Sequence, residues 1–279
     1  MLPPVDFLLI GHCTADLTPQ GRFLGGTVSY GARTAHAFGL RVGVVTSAAP
    51  GEPLLAELAP YAHLIAVDAP ETTTFENIYT PEGRLQYLRG RAGTLTLEHI
   101  PAQWRSAPLV HLGPLADEVD PRMAAAFPVA TVLLTLQGLL RQWDASGRVV
   151  FRRWYERAAL TDVDIVVFSE EDIQPAPDLE SAFAASVPHL IVTRAEKGGS
   201  SYQGGSVTSY DTPQVQVVHS TGAGDVFAVS LLCALHRLGG DTTARALRVA
   251  ARLAATCVTR FALEGTPTPA EVQAALGAV

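Results

Sequence analysis

Short, mainly apolar runs recur along the chain at residues 5–11, 42–46, 64–67, 109–112, 132–135, 163–168 and 190–193. Each is too short for a helix, and the first stops at Gly11, so they read as strands buried on both faces. Helical stretches at 29–38, 52–58, 122–127, 154–160 and 179–185 fall between most of them. Strands alternating with helices predict an α/β fold whose mostly parallel sheet is flanked by helices on both faces.

The rhythm changes twice. In the C-terminal third the pattern predicts two long helices, 222–238 and 242–261, separated by Gly239-Gly240 and restarted by Asp241 as an N-cap. Earlier, 72–80 and 85–89 are strand-like runs rich in Thr, Phe, Tyr and Ile, joined by Pro81-Glu82-Gly83-Arg84. That is a hairpin signal. Glu76, Asn77, Gln86, Arg89 and Arg91 mix hydrogen-bonding groups among its aromatics, so it suits a covering flap better than a core sheet. The whole chain, 1–279, reads as one α/β domain with a small β lid contributed mainly by 72–91.

Charge and composition narrow the function. The 279 residues hold 27 acidic and 20 basic side chains, a net charge of −7, which argues against a nucleic-acid surface. At 48% hydrophobic and 17% charged, with 24 Gly and 19 Pro, the chain is globular with many tight turns. Cys13, Cys233 and Cys257 are widely separated and form neither a zinc motif nor a disulfide framework. The N-terminus lacks a basic region and a long apolar stretch, and the apolar runs at 128–140 and 223–235 fall short of the ~18 residues a membrane span needs. A cytoplasmic protein with no membrane partner is the expectation.

Candidate chemistry concentrates at His219-Ser220-Thr221-Gly222-Ala223-Gly224-Asp225-Val226-Phe227, where a strand-like run at 215–218 turns into a helix. Small residues at 222–224 let successive backbone N–H groups approach an anion, and the helix dipole favours negative charge there. Asp225 lies in the first helical turn, where the dipole would hold its carboxylate ionised with a low pKa and able to take a proton from a hydroxyl. A tight turn with a capping aspartate would produce the same spacing without chemistry.

Ser220 to Asp225 resembles the second signature of the ribokinase-like (PfkB) carbohydrate kinase family. The resemblance implies that Gly222, Ala223 and Gly224 form an anion hole for the migrating phosphoryl group and that Asp225 is the catalytic base. Gly25-Gly26-Thr27-Val28-Ser29-Tyr30-Gly31-Ala32 is similar to the family's first signature, with Gly25 and Gly26 passing close to substrate. Asp16, after the first strand, takes the place of the family's hydroxyl-binding aspartate, and the 72–91 hairpin takes the place of the lid, with Tyr30, Phe75 and Asn77 on the substrate. Thr193-Arg194-Ala195-Glu196-Lys197-Gly198 resembles the nucleotide turn, which assigns Thr193, Arg194 and Gly198 to the cofactor beside Ser169, Thr221, Gly222 and Gly224. Ser169-Glu170-Glu171-Asp172 is similar to the element that organises magnesium through water, with Asp172 and Glu171 both eligible for the acidic role. The stretches 110–114 and 136–141 look most like the branch containing myo-inositol kinase-like proteins.

The resemblance therefore implies a ribokinase-like kinase that uses ATP and Mg2+ to phosphorylate a hydroxyl of a small sugar or polyol, and a homodimer formed through the lid. Three positions depart from the family pattern. His219 replaces an aspartate that helps hold a monovalent cation, which leaves that cation's involvement open. Tyr30 replaces a sugar-binding asparagine, and Ala195 replaces a glycine in the nucleotide turn. A nucleoside kinase, with Tyr30, Phe75 and Tyr79 stacking on a base, and a ligand-binding protein whose catalysis has decayed are the alternatives.

Overall fold

A computed structural model describes residues 2–80, 83–239 and 242–278. Strand β1 (Phe7–Ile10) is followed by a hairpin of β2 (Thr14–Thr18) and β3 (Gly21–Gly25), then helix α1 (Thr27–Ala37) and β4 (Val42–Ala48). β5 (His63–Asp68) precedes a second hairpin, β6 (Thr74–Thr80) and β7 (Gly83–Gly90). β8 (Leu109–Leu112) and β9 (Thr131–Thr135) lead to a third, β10 (Arg141–Trp143) and β11 (Val149–Phe151). Next come β12 (Ile165–Ser169), α2 (Asp178–Ala184), β13 (His189–Thr193) and the pair β14 (Gly199–Gln203) and β15 (Ser206–Tyr210). Helices α3 (Ala223–Leu238), α4 (Thr243–Cys257) and α5 (Pro269–Gly277) close the chain.

The seven apolar runs become the parallel part of a nine-stranded sheet ordered β15-β14-β13-β12-β9-β8-β1-β4-β5, with β14 and β15 antiparallel at one edge. β1 lies inside it, Phe7 opposite both Val42 and Leu109. Its side chains alternate between two cores, as a period of two requires. Phe7 and Leu9 pack with residues of α1, α3 and α4, whereas Leu8 and Ile10 pack with Trp104, Phe127 and Phe183 on the other face. All four are fully buried, and each such side chain stabilises the fold by about 1.5–3 kcal/mol.

Several elements differ from the sequence expectation. Residues 52–58 and 122–127 are 3-10 turns, each capped by an acid followed by proline, Glu52-Pro53 and Asp120-Pro121. Of 154–160 only Arg157–Leu160 is helical, and the helix expected to reach 261 stops at Cys257. Residues 215–218 form no strand: they run outside the sheet, where the Val218 and His219 N–H groups donate to Val258 O at 2.8 and 3.1 Å. Helix α5, which the sequence reading did not name, opens with Thr268-Pro269-Ala270-Glu271, whose Thr268 and Glu271 form a reciprocal cap. Pro81, Glu82, Gly240 and Asp241 lie outside the described residues.

The lid is a four-stranded sheet, β3-β2-β6-β7. Half of it comes from 14–25, so Asp16 sits in a lid strand. A buried polar cluster ties its base to the core. Glu118, with no exposed surface, accepts hydrogen bonds from the amides of His12, Leu115 and Ala116 at 2.6–3.0 Å. The His12 ring donates from Nε2 to Gly93 O at 2.8 Å, which leaves Nδ1 to accept from the Thr73 hydroxyl at 2.7 Å.

Candidate active site

The C-terminal ends of β9, β12 and β13, the inner face of the lid and the start of α3 enclose a cavity of about 570 Å3. Open α/β sheets place ligand crevices at this end of their strands. Thr135, Ser169 and Thr193, the last residues of those three strands, all line it.

Helix α3 supplies the anion-binding feature. Gly222 precedes it with φ +88°, a backbone conformation that side chains disfavour, and a Cβ there would overlap the Tyr30 ring. The Ala223 amide makes a long bond to Ser220 O at 3.4 Å and the Val226 amide closes the first turn onto Gly222 O at 2.9 Å, which leaves the Gly224 and Asp225 amides as the donors this helix end offers an anion. Gly222, Ala223, Gly224 and Asp225 all line the cavity, and open space lies where a Gly224 side chain would be.

Asp225 is half-buried and lines the same cavity. Burial pushes its carboxyl up to about 6, with smaller upward contributions from Asp16 and Asp172, against a hydrogen bond from Thr27 and the Arg141 charge, which pull it down. The expectation of a low pKa from the helix dipole is thus reversed. Desolvation of the carboxylate by burial outweighs a partial charge of about half a unit. The consequence is chemical: a carboxylate near 6 is a stronger base than one near 4 and is still ionised at neutral pH.

On one side of Asp225 the cavity is polar. Asp16 accepts from the Thr14 hydroxyl at 3.0 Å. Gln86 donates to Asn77 Oδ1 at 3.0 Å across the β6–β7 pair, and Phe75 forms an apolar wall. Gly26 lines the cavity and Gly25 does not; a Cβ on Gly25 would overlap the Asp16 carboxylate, so Gly25 serves by making room for it. Tyr30 is 1% exposed and wedges beneath Gly222. It reaches the cavity wall but offers little stacking surface, and the Tyr79 side chain lies outside the described residues.

On the other side Ser169, Glu171, Asp172, Thr193, Gly198 and Thr221 line the cavity, but Arg194 does not. Its guanidinium is held by Glu180 at 2.5 Å, Glu170 at 3.2 Å and Ser200 at 2.9 Å, because strong carboxylate partners lie beside it within the fold. Ala195 takes the turn at φ +47°. Val215, Val217, Ala254, Ala255 and Val258 give this end an apolar lining. His219 does not line the cavity; its ring packs against Phe261 with centroids 4.8 Å apart. Thr27, Gln86, Gln137 and Arg141 are cavity residues that the sequence reading left without a role. Thr27 follows the di-glycine directly and could have been named, whereas Arg141 comes from a hairpin that no pattern signalled.

Asp172 turns one oxygen back to accept from the Ser169 amide at 3.0 Å, capping the short turn Glu170–Ile173. Among the described residues no group of three or more His, Cys, Asp or Glu converges as a metal cage. Glu171 and Asp172 are hard oxygen donors at the cavity wall, a set that fits a magnesium ion held mainly by water and donor phosphates. No helix among the described residues is long and apolar enough to cross a membrane.

Residues 135–270, which contain β12, β13 and the α3 turn, match the pfkB family carbohydrate kinase domain. A fructokinase of Escherichia coli is 29% identical over 170 residues, covering 55% of this chain and 54% of that protein. The chain thus matches about half the length of that relative. Similar solved structures include a pyrophosphate-dependent kinase of the ribokinase family, complexed with a pyrophosphate analog and myo-inositol (TM-score 0.79, 18% identity, 96% and 99% of the two chains). A fructokinase with bound ATP from Xylella fastidiosa (0.78, 17%, 98% and 98%) and an Arabidopsis thaliana ribokinase complexed with ribose and ATP (0.75, 19%, 99% and 99%) are also similar. At these identities the likeness establishes a shared ribokinase-like fold.

Proposed function

The chain belongs to the ribokinase-like PfkB carbohydrate kinases, and from that premise we propose that it transfers the terminal phosphoryl group of ATP to a hydroxyl of a small neutral sugar or polyol. The observation that carries this reading is the pairing of Asp225 with the α3 N-terminus in one cavity, a base and an anion cradle side by side. Phosphoryl transfer needs positioning and charge stabilisation more than covalent chemistry.

Asp16 and the Asn77–Gln86 pair suit the hydroxyls of the acceptor. Asp225 orients the attacking hydroxyl and takes its proton, while the amides that open α3 hold the oxygens of the moving phosphoryl group. A magnesium ion, when bound, neutralises phosphate charge, and Glu171 and Asp172 would hold it through water. The lid excludes water that would otherwise compete as acceptor.

The apolar end of the cavity at Val215, Val217 and Val258 supports a donor that carries a base, which pyrophosphate lacks. Among the described residues five carboxylates line the cavity, Asp16, Glu171, Asp172, Glu196 and Asp225, and this surplus disfavours an acceptor already phosphorylated. Transfer assays with ATP and pyrophosphate as donors, against ribose, fructose, myo-inositol, adenosine, cytidine and fructose 6-phosphate, test the proposal. Turnover is expected with ATP and a neutral sugar or polyol. Turnover confined to a nucleoside, or to pyrophosphate, would replace the acceptor or the donor in this reading, and none with any pair would leave a ligand-binding protein.

A further inference from the structure

Arg141 is the one lysine or arginine among the described residues lining the cavity. Its charge reaches Asp225, whose carboxyl it pulls down against the effect of burial. It opens β10, paired with Phe151, and the β10–β11 hairpin is fastened at both ends. At the base, Arg152 N donates to Leu140 O at 2.8 Å, and the Arg152 guanidinium forks onto Asp117 at 2.8 and 3.0 Å. At the tip, Gly147 O accepts from the Leu88 amide of lid strand β7 at 2.8 Å, and Ser146 O accepts from Arg89 at 3.3 Å. Trp143 and Val149 pack on the lid cluster of Phe75, Leu88, Leu115 and Ala116. The hairpin therefore joins lid and core, and its first residue is the cavity's cation.

The start of α3 offers only partial charges to a group that carries negative charge on three oxygens during transfer. A fixed guanidinium supplies a full charge with several donors in one plane. We propose that Arg141 is a catalytic residue that binds the transferring phosphoryl group together with the α3 amides, and that the lid-fastened β10–β11 hairpin sets its position. The acceptor oxygen bonds to phosphorus as the bond from phosphorus to the bridging oxygen of the donor phosphoanhydride breaks, and that oxygen leaves with the electron pair. The hydroxyl proton passes to Asp225, and Arg141 keeps its own protons throughout. This proposal rests on the phosphotransferase reading above.

Arg141→Ala and Arg141→Lys test it, each checked for a thermal midpoint close to that of the unaltered protein, with the lysine variant carrying the test should the alanine variant not fold. Arg141→Ala is expected to lower kcat by about 10²- to 10³-fold, the size of effect seen when one charge-stabilising donor is lost, and Arg141→Lys is expected to lose less. Guanidinium chloride at millimolar concentration should restore part of the Arg141→Ala rate and none of the Asp225→Asn rate, a rescue that a merely structural arginine would not show. A kcat within threefold of the unaltered protein, or a folded Arg141→Ala protein that guanidinium leaves unmoved, overturns the proposal. Calorimetric titration with pyrophosphate on the same proteins separates it from the reading beneath it. Weaker binding by Arg141→Ala, by tenfold or about 1.4 kcal/mol, supports Arg141 as a phosphoryl ligand even if no acceptor turns over, in which case only the phosphotransferase reading falls. Equal binding by the two proteins overturns the role of Arg141.

Discussion

Asp225 combines two costs in one side chain. Asp225→Asn removes the proton acceptor while keeping the shape, so kcat should fall by about 10²- to 10⁴-fold; a variant with more than a tenth of the rate would show that another group is the base. With its carboxyl near 6, kcat/KM of the unaltered protein should fall as pH drops below about 6, where the group is protonated. Stability moves the other way. A carboxyl raised from 3.8 to about 6 in the fold leaves the native state fully favoured below about pH 4 and loses that advantage as pH rises through 6. Asp225→Asn should therefore be the more stable protein at pH 7, by up to roughly 3 kcal/mol, since each pKa unit corresponds to about 1.4 kcal/mol. Melts at pH 4 and pH 7 check this: the gain should appear at pH 7 and vanish at pH 4.

Gly222 is constrained from two directions, by its left-handed backbone and by the Tyr30 ring where its side chain would go. Gly222→Ala should destabilise the protein by about 2–4 kcal/mol, from an unfavourable φ plus overpacking. In a Tyr30→Ala background, which removes the overlapping ring, Gly222→Ala should cost only the backbone part. Equal melting of Gly222→Ala and the unaltered protein would mean that the turn can open. The sequence marked both residues, but it assigned Tyr30 to the ligand. Only the fold shows that the tyrosine supports the glycine turn from below.

Among the elements, the lid depends on polar ties that hydrophobic patterning does not reveal. Thr73 is buried; its hydroxyl donates to His12 and accepts from the Ala92 amide at 2.9 Å, joining the entry to β6 with the exit from β7. Thr73→Val keeps the shape and leaves both partners unsatisfied, a loss of about 1–3 kcal/mol. Hydrogen exchange across residues 74–90 should quicken relative to β1 and β8, and acceptor KM should rise several-fold while kcat changes little. Unchanged exchange in that segment would show that the hairpin clasp at Gly147, rather than Thr73, holds the lid. The hairpin at 72–91 was legible from its Thr, Tyr and Ile content, but its partner strands at 14–25 were not. Those strands are five residues each and mix polar with apolar side chains without a clean alternation, and they become strands by pairing across the sequence, Ala15 opposite Thr74.

At the scale of the whole molecule, both edges of the lid already meet the same chain. Strand β7 is met by Gly147, and β3 is flanked by the Phe23–Phe261 ring contact at 5.5 Å and the Arg22–Glu52 ion pair at 2.9 Å. Side-chain contacts at β3 and a backbone bond to β7 occupy part of each edge and leave less free backbone to a second subunit, and the mass in solution tests the homodimer implied by the family resemblance. Sedimentation equilibrium is expected to return a mass near 29.5 kDa. A mass near twice that value, lost when β3 carries Phe23→Lys, would show pairing through the lid after all.

The parallel sheet, its seven apolar strands, the long α3 helix and the Gly222 to Asp225 turn were all legible in the amino-acid order. Each is a local pattern whose meaning survives in any context: a two-faced buried strand needs a mainly apolar run, and a close anion turn needs small residues before a helix. Tertiary structure decided what depends on distant neighbours. Burial, which no local window contains, raised Asp225 where the helix alone would have lowered it. Carboxylates at 170 and 180 turned Arg194 away from the cavity. A hairpin with only three residues in each strand, too short to show periodicity, carried Arg141 into the site because its tip found a hydrogen-bonding edge on the lid.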